Sequence, residues 1–259
     1  MSIYQPTEFR PEICMLHNKF LKSLTEPGLF LNSHTRIEVA KECRASRNCP
    51  FSFDMKDQPF DTNIVTGYPS TSILPVGYID LIRRTMNGAG RLVLEEEIGK
   101  EYFTKWCSVH SPGEYVEIVA VTVMMCQVDT FHLALGLPLV DFPMPIDPTE
   151  PMKQLASDGL GEHSSWVPTM DPLKATGKVY DTYTMKFLSK FTGREGPKRQ
   201  PESMANILKQ LSAIPDDHQQ FAMHCMIMYA QSRAPGRPLK ADQVEFIAAR
   251  TSKINDCAY

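Results

Sequence analysis

Glu114-Tyr-Val-Glu117-Ile-Val-Ala-Val-Thr-Val-Met-Met-Cys-Gln-Val-Asp129-Thr-Phe-His132 is the stretch on which the fold turns. Between Glu117 and Asp129 it is almost wholly apolar. A strand rarely exceeds about 8 residues, so an apolar run of this length reads as a helix buried on most of its faces. Ser111-Pro112-Gly113 precedes it, with Ser111 placed to cap the helix and Pro112 at the first position, where a missing N–H costs nothing. An unpaired carboxylate inside such a helix is expensive to bury, which makes Glu117 a residue in need of a reason.

Working outward, helical spacing recurs over 14–24, 35–49, 74–87 and 92–109, then over 175–192, 203–212, 217–232 and 241–254. Ser33 or Thr35 is the expected cap of the second helix and Pro50 its stop; Gly88-Ala89-Gly90 is expected to break the third. Prolines 138, 143, 145, 148, 151, 168 and 172 mark a connector without helical pattern. No alternating strand pattern stands out, so the expected class is all-α. A first unit spans residues 1–143, a connector 144–174 and a second unit 175–259.

Composition narrows the function classes. With 42% hydrophobic and 22% charged residues the chain can fill a core. Its 27 basic residues against 30 acidic ones, without a dense Lys/Arg run, argue against a nucleic-acid partner. No uninterrupted apolar run reaches the roughly 18 residues of a membrane span, so no membrane partner is expected. The start lacks a basic segment followed by an apolar one, and seven scattered cysteines suit reduced thiols, so a cytoplasmic location is expected. Gly-rich phosphate loops, a serine elbow and zinc-ligand spacing are missing, and no cofactor or metal is expected. His218 and His224, six apart, fall on different helix faces, and the methionines of 221–228 read as plastic core packing.

A second stretch repeats the first. Asp242-Gln-Val-Glu245-Phe-Ile-Ala-Ala runs on to Asn255-Asp256-Cys257-Ala-Tyr259, and a constant offset of 128 aligns Glu117 with Glu245 and Asp129 with Cys257. Two helices with one acid in the same register predict two similar units related by a pseudo-twofold axis, with 116–128 and 244–254 as equivalent buried helices.

These residues resemble the alkylhydroperoxidase D and carboxymuconolactone decarboxylase superfamily. Its members carry a glutamate, then eleven residues, then Cys-x-x-Cys and a following histidine. Glu245 and Cys257 match the first part of that motif, and Glu114 to Pro143, with Ala134-Leu-Gly-Leu-Pro138, is similar to the preceding half of two-domain members. The resemblance implies tandem alkylhydroperoxidase D-like helical units that assemble into homodimers or larger homo-oligomers. The second cysteine and the histidine do not follow Cys257, and Asp129 and His132 stand where the first half would carry its cysteines.

The expected function is therefore thiol-independent acid–base chemistry, of lyase, decarboxylase or isomerase type, on a small, partly apolar organic substrate. Asp129 and His132, three apart on one helix face, would form the acid–base pair, with Glu117 as a second carboxylate and Glu245 as its counterpart. Against this stands a structural reading, in which Asp129 caps a short helix over 130–135 and His132 is a core histidine. Two further functions remain open: a thiol peroxidase using Cys257, whose sulfenic acid an external thiol resolves, and a non-catalytic helical binding or assembly protein.

Overall fold

The computed structural model describes residues 11–47, 70–94, 96–146, 150–151, 159–163, 166–188, 200–230 and 239–254. Over these the chain is all-α apart from one antiparallel pair, β1 (Leu160–Gly161) and β2 (Thr169–Met170), in the connector. Five helices precede the pair: α1 (Pro11–Ser23), α2 (Ser33–Ser46), α3 (Val76–Leu94), α4 (Glu96–Cys107) and α5 (Pro112–Ala134). After it come α6 (Gly177–Tyr183), a 3-10 turn over Pro201–Ser203, α7 (Asn206–Lys209), α8 (Pro215–Ala230) and α9 (Ala241–Ile254).

The long apolar stretch forms α5, and its start follows the sequence. Ser111 Oγ accepts from Glu114 N while Glu114 Oε2 accepts from Ser111 N, a reciprocal cap over Pro112. The helix continues unbroken through Asp129 to Ala134, so Asp129 is not the cap of a separate helix. Gly136 ends it in the left-handed region (φ 66°), and Leu137 N donates back to His132 O. The cap of α2 is neither Ser33 nor Thr35 but Asn32, whose Oδ1 accepts from Thr35 N at 2.8 Å. Pro50 lies outside the described residues. Gly88-Ala89-Gly90 does not break α3, which runs on to Leu94.

α5 is the shared wall of the core. α2 and α3 pack on it and on each other, and α8 packs on it as well. Val116, Ile118, Ala120, Val121, Met124, Met125 and Val128 are all buried, and only a stripe through Val119, Val123, Cys126 and Gln127 is partly open to solvent. By length and composition α5 could cross a membrane, yet most of it is buried inside the bundle. α8 also holds α1 and α6, so an element from the start of the chain shares a core with one near its end.

The expected counterpart of α5 behaves differently. No described side chain of α9 is buried, and Phe246 and Ile247 are 73% and 52% exposed. The expectation of two equivalent buried helices is not met. α5 is buried because three helices offer it apolar surfaces; α9 has the local pattern, and its described side chains stay open to solvent.

Candidate functional site

Arg36 on α2 is the centre of a buried ion cluster. Its Nη1 donates to Glu117 Oε1 on α5, and its Nη2 donates to Asp217 Oδ1 on α8 at 2.8 Å. Nη1 also lies 3.3 Å from Asp217 Oδ2. The other Glu117 oxygen accepts from the backbone N–H groups of Phe30 (2.7 Å) and Leu31 (3.3 Å). One glutamate thus ties α2, α5 and the turn before α2 together. Gly28 closes that turn by donating to Leu31 O at 2.8 Å. A Cβ at Gly28 would sit 1.7 Å from Glu117 Oε1 and 2.3 Å from Arg36 Nη1, so only glycine lets the backbone lie against the ion pair.

Two carboxyl groups on one guanidinium leave an excess negative charge in a dry place. Burial raises the Glu117 pKa, Arg36 pulls it down and Asp217 pushes it up again; the net direction is upward. Arg36 itself is held charged: burial opposes its charge, and Asp217 and Glu117 more than offset that. The cluster therefore keeps its guanidinium ionised and has one carboxyl poised to take a proton.

A cavity of about 600 Å³ opens beside it. Arg36, Asp217 and Gln220 form its wall, Gly28 and Leu29 its floor, and Lys19, Lys22 and Glu26 its rim on the α1 side. Asp217 and Gln220, three apart on α8, face the same way. The volume suits a small organic molecule.

Asp129 and His132 are elsewhere. Asp129 follows Glu117 by twelve residues on one helix, about 18 Å along its axis. The three candidates do not converge on one cavity. Asp129 takes a two-pronged bond from Arg44, Nε to Oδ2 at 3.0 Å and Nη2 to Oδ1 at 2.9 Å, with Arg47 Nε 3.8 Å from Oδ2. Arg44 also donates to Val140 O at 2.8 Å and lies over the Phe142 ring. That pair fastens the segment after α5 back onto α2. His132 turns its Nδ1 to Pro138 O at 2.6 Å; a carbonyl can only accept, so Nδ1 carries the proton. Asp129 and His132 share a face, as their spacing predicts, but each is committed to a different partner.

Glu245 lies on the exposed α9, far in character from the buried Glu117 it was aligned with, and Cys257 lies outside the described residues. Burial raises the thiol pKa of Cys14 and Cys43, and lifts those of Cys107 and Cys225 to about 11, so these four are held as thiols. Among the described residues no group of three or more His, Cys, Asp or Glu side chains is arranged to hold a metal ion.

Sequence reasoning found Glu117 and missed Arg36, Asp217, Gln220 and Gly28. Arg36 left a signal: with Ala40 and Cys43 it occupies the i, i+4, i+7 stripe of α2 that turns inward, a place where an arginine needs a partner. Asp217, in the first turn of α8, looked like an ordinary helix-start acid. Compared with protein-family models, with curated proteins and with solved structures, the chain finds no match.

Proposed function

We propose that the chain is an enzyme that moves a proton on a small, partly apolar organic molecule bound in the cavity beside Arg36, and that it uses no thiol. One observation carries this reading: Glu117 and Asp217 share the single Arg36 guanidinium in the wall of that cavity. Asp217, the carboxylate of the pair that lines the cavity, takes a proton from the bound molecule or returns one to it. Arg36 orients Asp217. Glu117, held by two backbone N–H groups, fixes Arg36 from the side away from Asp217 and so sets where that carboxylate stands. Abstraction next to a carbonyl, as in an isomerase or decarboxylase, asks for such a group in a partly apolar pocket. Compared with the arrangement expected from sequence, the acid–base pair moves from Asp129 and His132 to Asp217 with Glu117. The proposal keeps the chain with the thiol-independent branch of the superfamily its sequence resembles.

Solvent deuterium exchange tests it without knowledge of the substrate. A panel of small enolisable carbonyl compounds is incubated with the protein in deuterated buffer and read by NMR. At least one is expected to exchange faster with the wild type, and Asp217→Asn is expected to slow that exchange about 10²–10⁴-fold. A panel that stays silent with folded wild-type protein sinks the acid–base reading.

A further inference from the structure

Two buried histidines from two helices stack outside the cavity, with a third histidine near enough to act on one of them. His17 of α1 stacks on His224 of α8, with ring centroids 4.8 Å apart and planes 16° from parallel. Phe131 of α5 meets His17 edge to face at 5.0 Å, and His132 of α5 is the next group in the cluster. All three histidines are buried. In a parallel stack the N–H bonds lie in the ring planes, so neither ring offers a nitrogen to the other and the pair cannot share a proton. A proton on either ring puts a charge against a buried face; protons on both put two like charges 4.8 Å apart.

The stack and the cavity lie on the same seam. Lys19, Lys22 and Ser23 of α1 line the cavity against Asp216, Asp217 and Gln220 of α8. Going from Lys22 back to His17, and from Asp217 on to His224, is five and seven residues, roughly 8–10 Å along each helix. α1 and α8 therefore run antiparallel, with the cavity at one end of their contact and the stack in its middle.

We propose that the His17–His224 stack is an acid-released latch: its protonation frees α1 from α8 and so removes the α1 wall of the cavity. This rests on the cavity being the working site. Among the described residues Phe131 of α5 touches the stack, and His132 of α5 acts on His17 through its charge. Further charges on the packed elements are Glu12, Lys19 and Lys22 on α1, Asp216 and Asp217 at the far end of α8, and on α5 Glu114, Glu117 and Asp129, the last neutralised by Arg44. Burial, reinforced for His17 by its two histidine neighbours, lowers the pKa of His17 to about 3 and of His224 to about 4. Both lie below the free value of about 6.5, so the closed seam holds its full stability above that pH and loses it as pH falls toward 4. Two protons per opening make the opening constant rise about 100-fold per pH unit in that window.

Amide hydrogen exchange of the full chain, corrected for intrinsic rates and followed from pH 7.5 to 4.5, reads the latch directly. Exchange in α1 is expected to accelerate with a two-proton slope while α3 and the middle of α5 keep their protection. His224→Phe, which keeps a flat ring without a titrating nitrogen, is expected to reduce the slope to about 10-fold per unit, and His17→Phe with His224→Phe to flatten it. Equal acceleration in α1, α3 and α5, or an unchanged slope in the folded His224→Phe variant, would overturn the latch. This measurement uses no ligand: a silent deuterium-exchange panel leaves it intact, and a flat exchange profile leaves the acid–base reading intact.

Discussion

α5 and α9 carry the same local pattern and lie in opposite surroundings. Each places a glutamate in its second turn or close to it, followed by an apolar run. Glu117 is wholly buried and Glu245 is exposed. What separates them is the neighbourhood. α2, α3 and α8 pack on α5, and α2 brings an arginine to two of its three acids, Arg36 to Glu117 and Arg44 to Asp129. These two arginines are eight residues apart on α2 and their acids twelve apart on α5, so the helices run in parallel, clamped at two points. In α9 no described side chain is buried. A repeat in sequence thus specifies a helix and an acid; whether the acid is buried depends on a cation from another part of the chain.

The contrast breaks hardest at Arg36. Arg36→Met leaves Glu117 and Asp217 buried together without their cation, and removing the shared partner of a buried ion pair costs about 3–5 kcal/mol. Urea unfolding is expected to show a loss of that size, or no folded protein at neutral pH. A variant within about 0.5 kcal/mol of wild type would mean that the cluster is hydrated. Glu117→Gln is milder: Arg36 keeps Asp217, and the amide oxygen can still accept from Phe30 N or Leu31 N. Its expected cost is about 1–3 kcal/mol.

How much of this was legible beforehand follows from distance along the chain. The start of α5 was readable because the Ser111–Glu114 cap is local. Glu117 could be flagged because burying an acid is costly wherever it happens. Its partners could not: Arg36 and Asp217 are 81 residues before it and 100 after it, and no periodicity links them. Asp129 and His132 misled for the same reason. Their spacing correctly placed them on one face, but Arg44 had already claimed both Asp129 oxygens. The α9 expectation failed because an apolar stripe reports what a helix could bury and says nothing of what is there to bury it.

At the other end of α5 the expected effect is smaller. Arg44 is 19% exposed at its side chain, whereas Arg36 is nearly closed off, so Arg44 can recover water when its partner is removed. Asp129→Asn keeps an oxygen for one of the two Arg44 bonds and is expected to cost about 1–2 kcal/mol. The loss should appear as earlier fraying of residues 135–142, which Arg44 fastens through Val140 O and Phe142. If Asp129→Asn instead abolished deuterium exchange on the carbonyl panel with no change in stability, catalysis would belong at that end of α5 and the placement at Asp217 would fall.

The smallest effect is expected at Glu245. In α9 Glu245 and the two residues after it, Phe246 and Ile247, are exposed, so little burial is lost with its charge. Substitutions at such positions usually stay within about 0.5 kcal/mol of neutral. Glu245→Gln should therefore leave the urea midpoint of the isolated chain unchanged, while Glu117→Gln shifts it clearly. The two substitutions remove the same charge from the same kind of helix at matched positions, so the difference between them measures surroundings alone. If Glu245→Gln cost as much as Glu117→Gln, α9 would have to be packed in solution as α5 is. Repeating the measurement over a hundredfold range of protein concentration then locates that packing: a cost that grows with concentration puts it against another copy of the chain, and a constant cost puts it within the same chain.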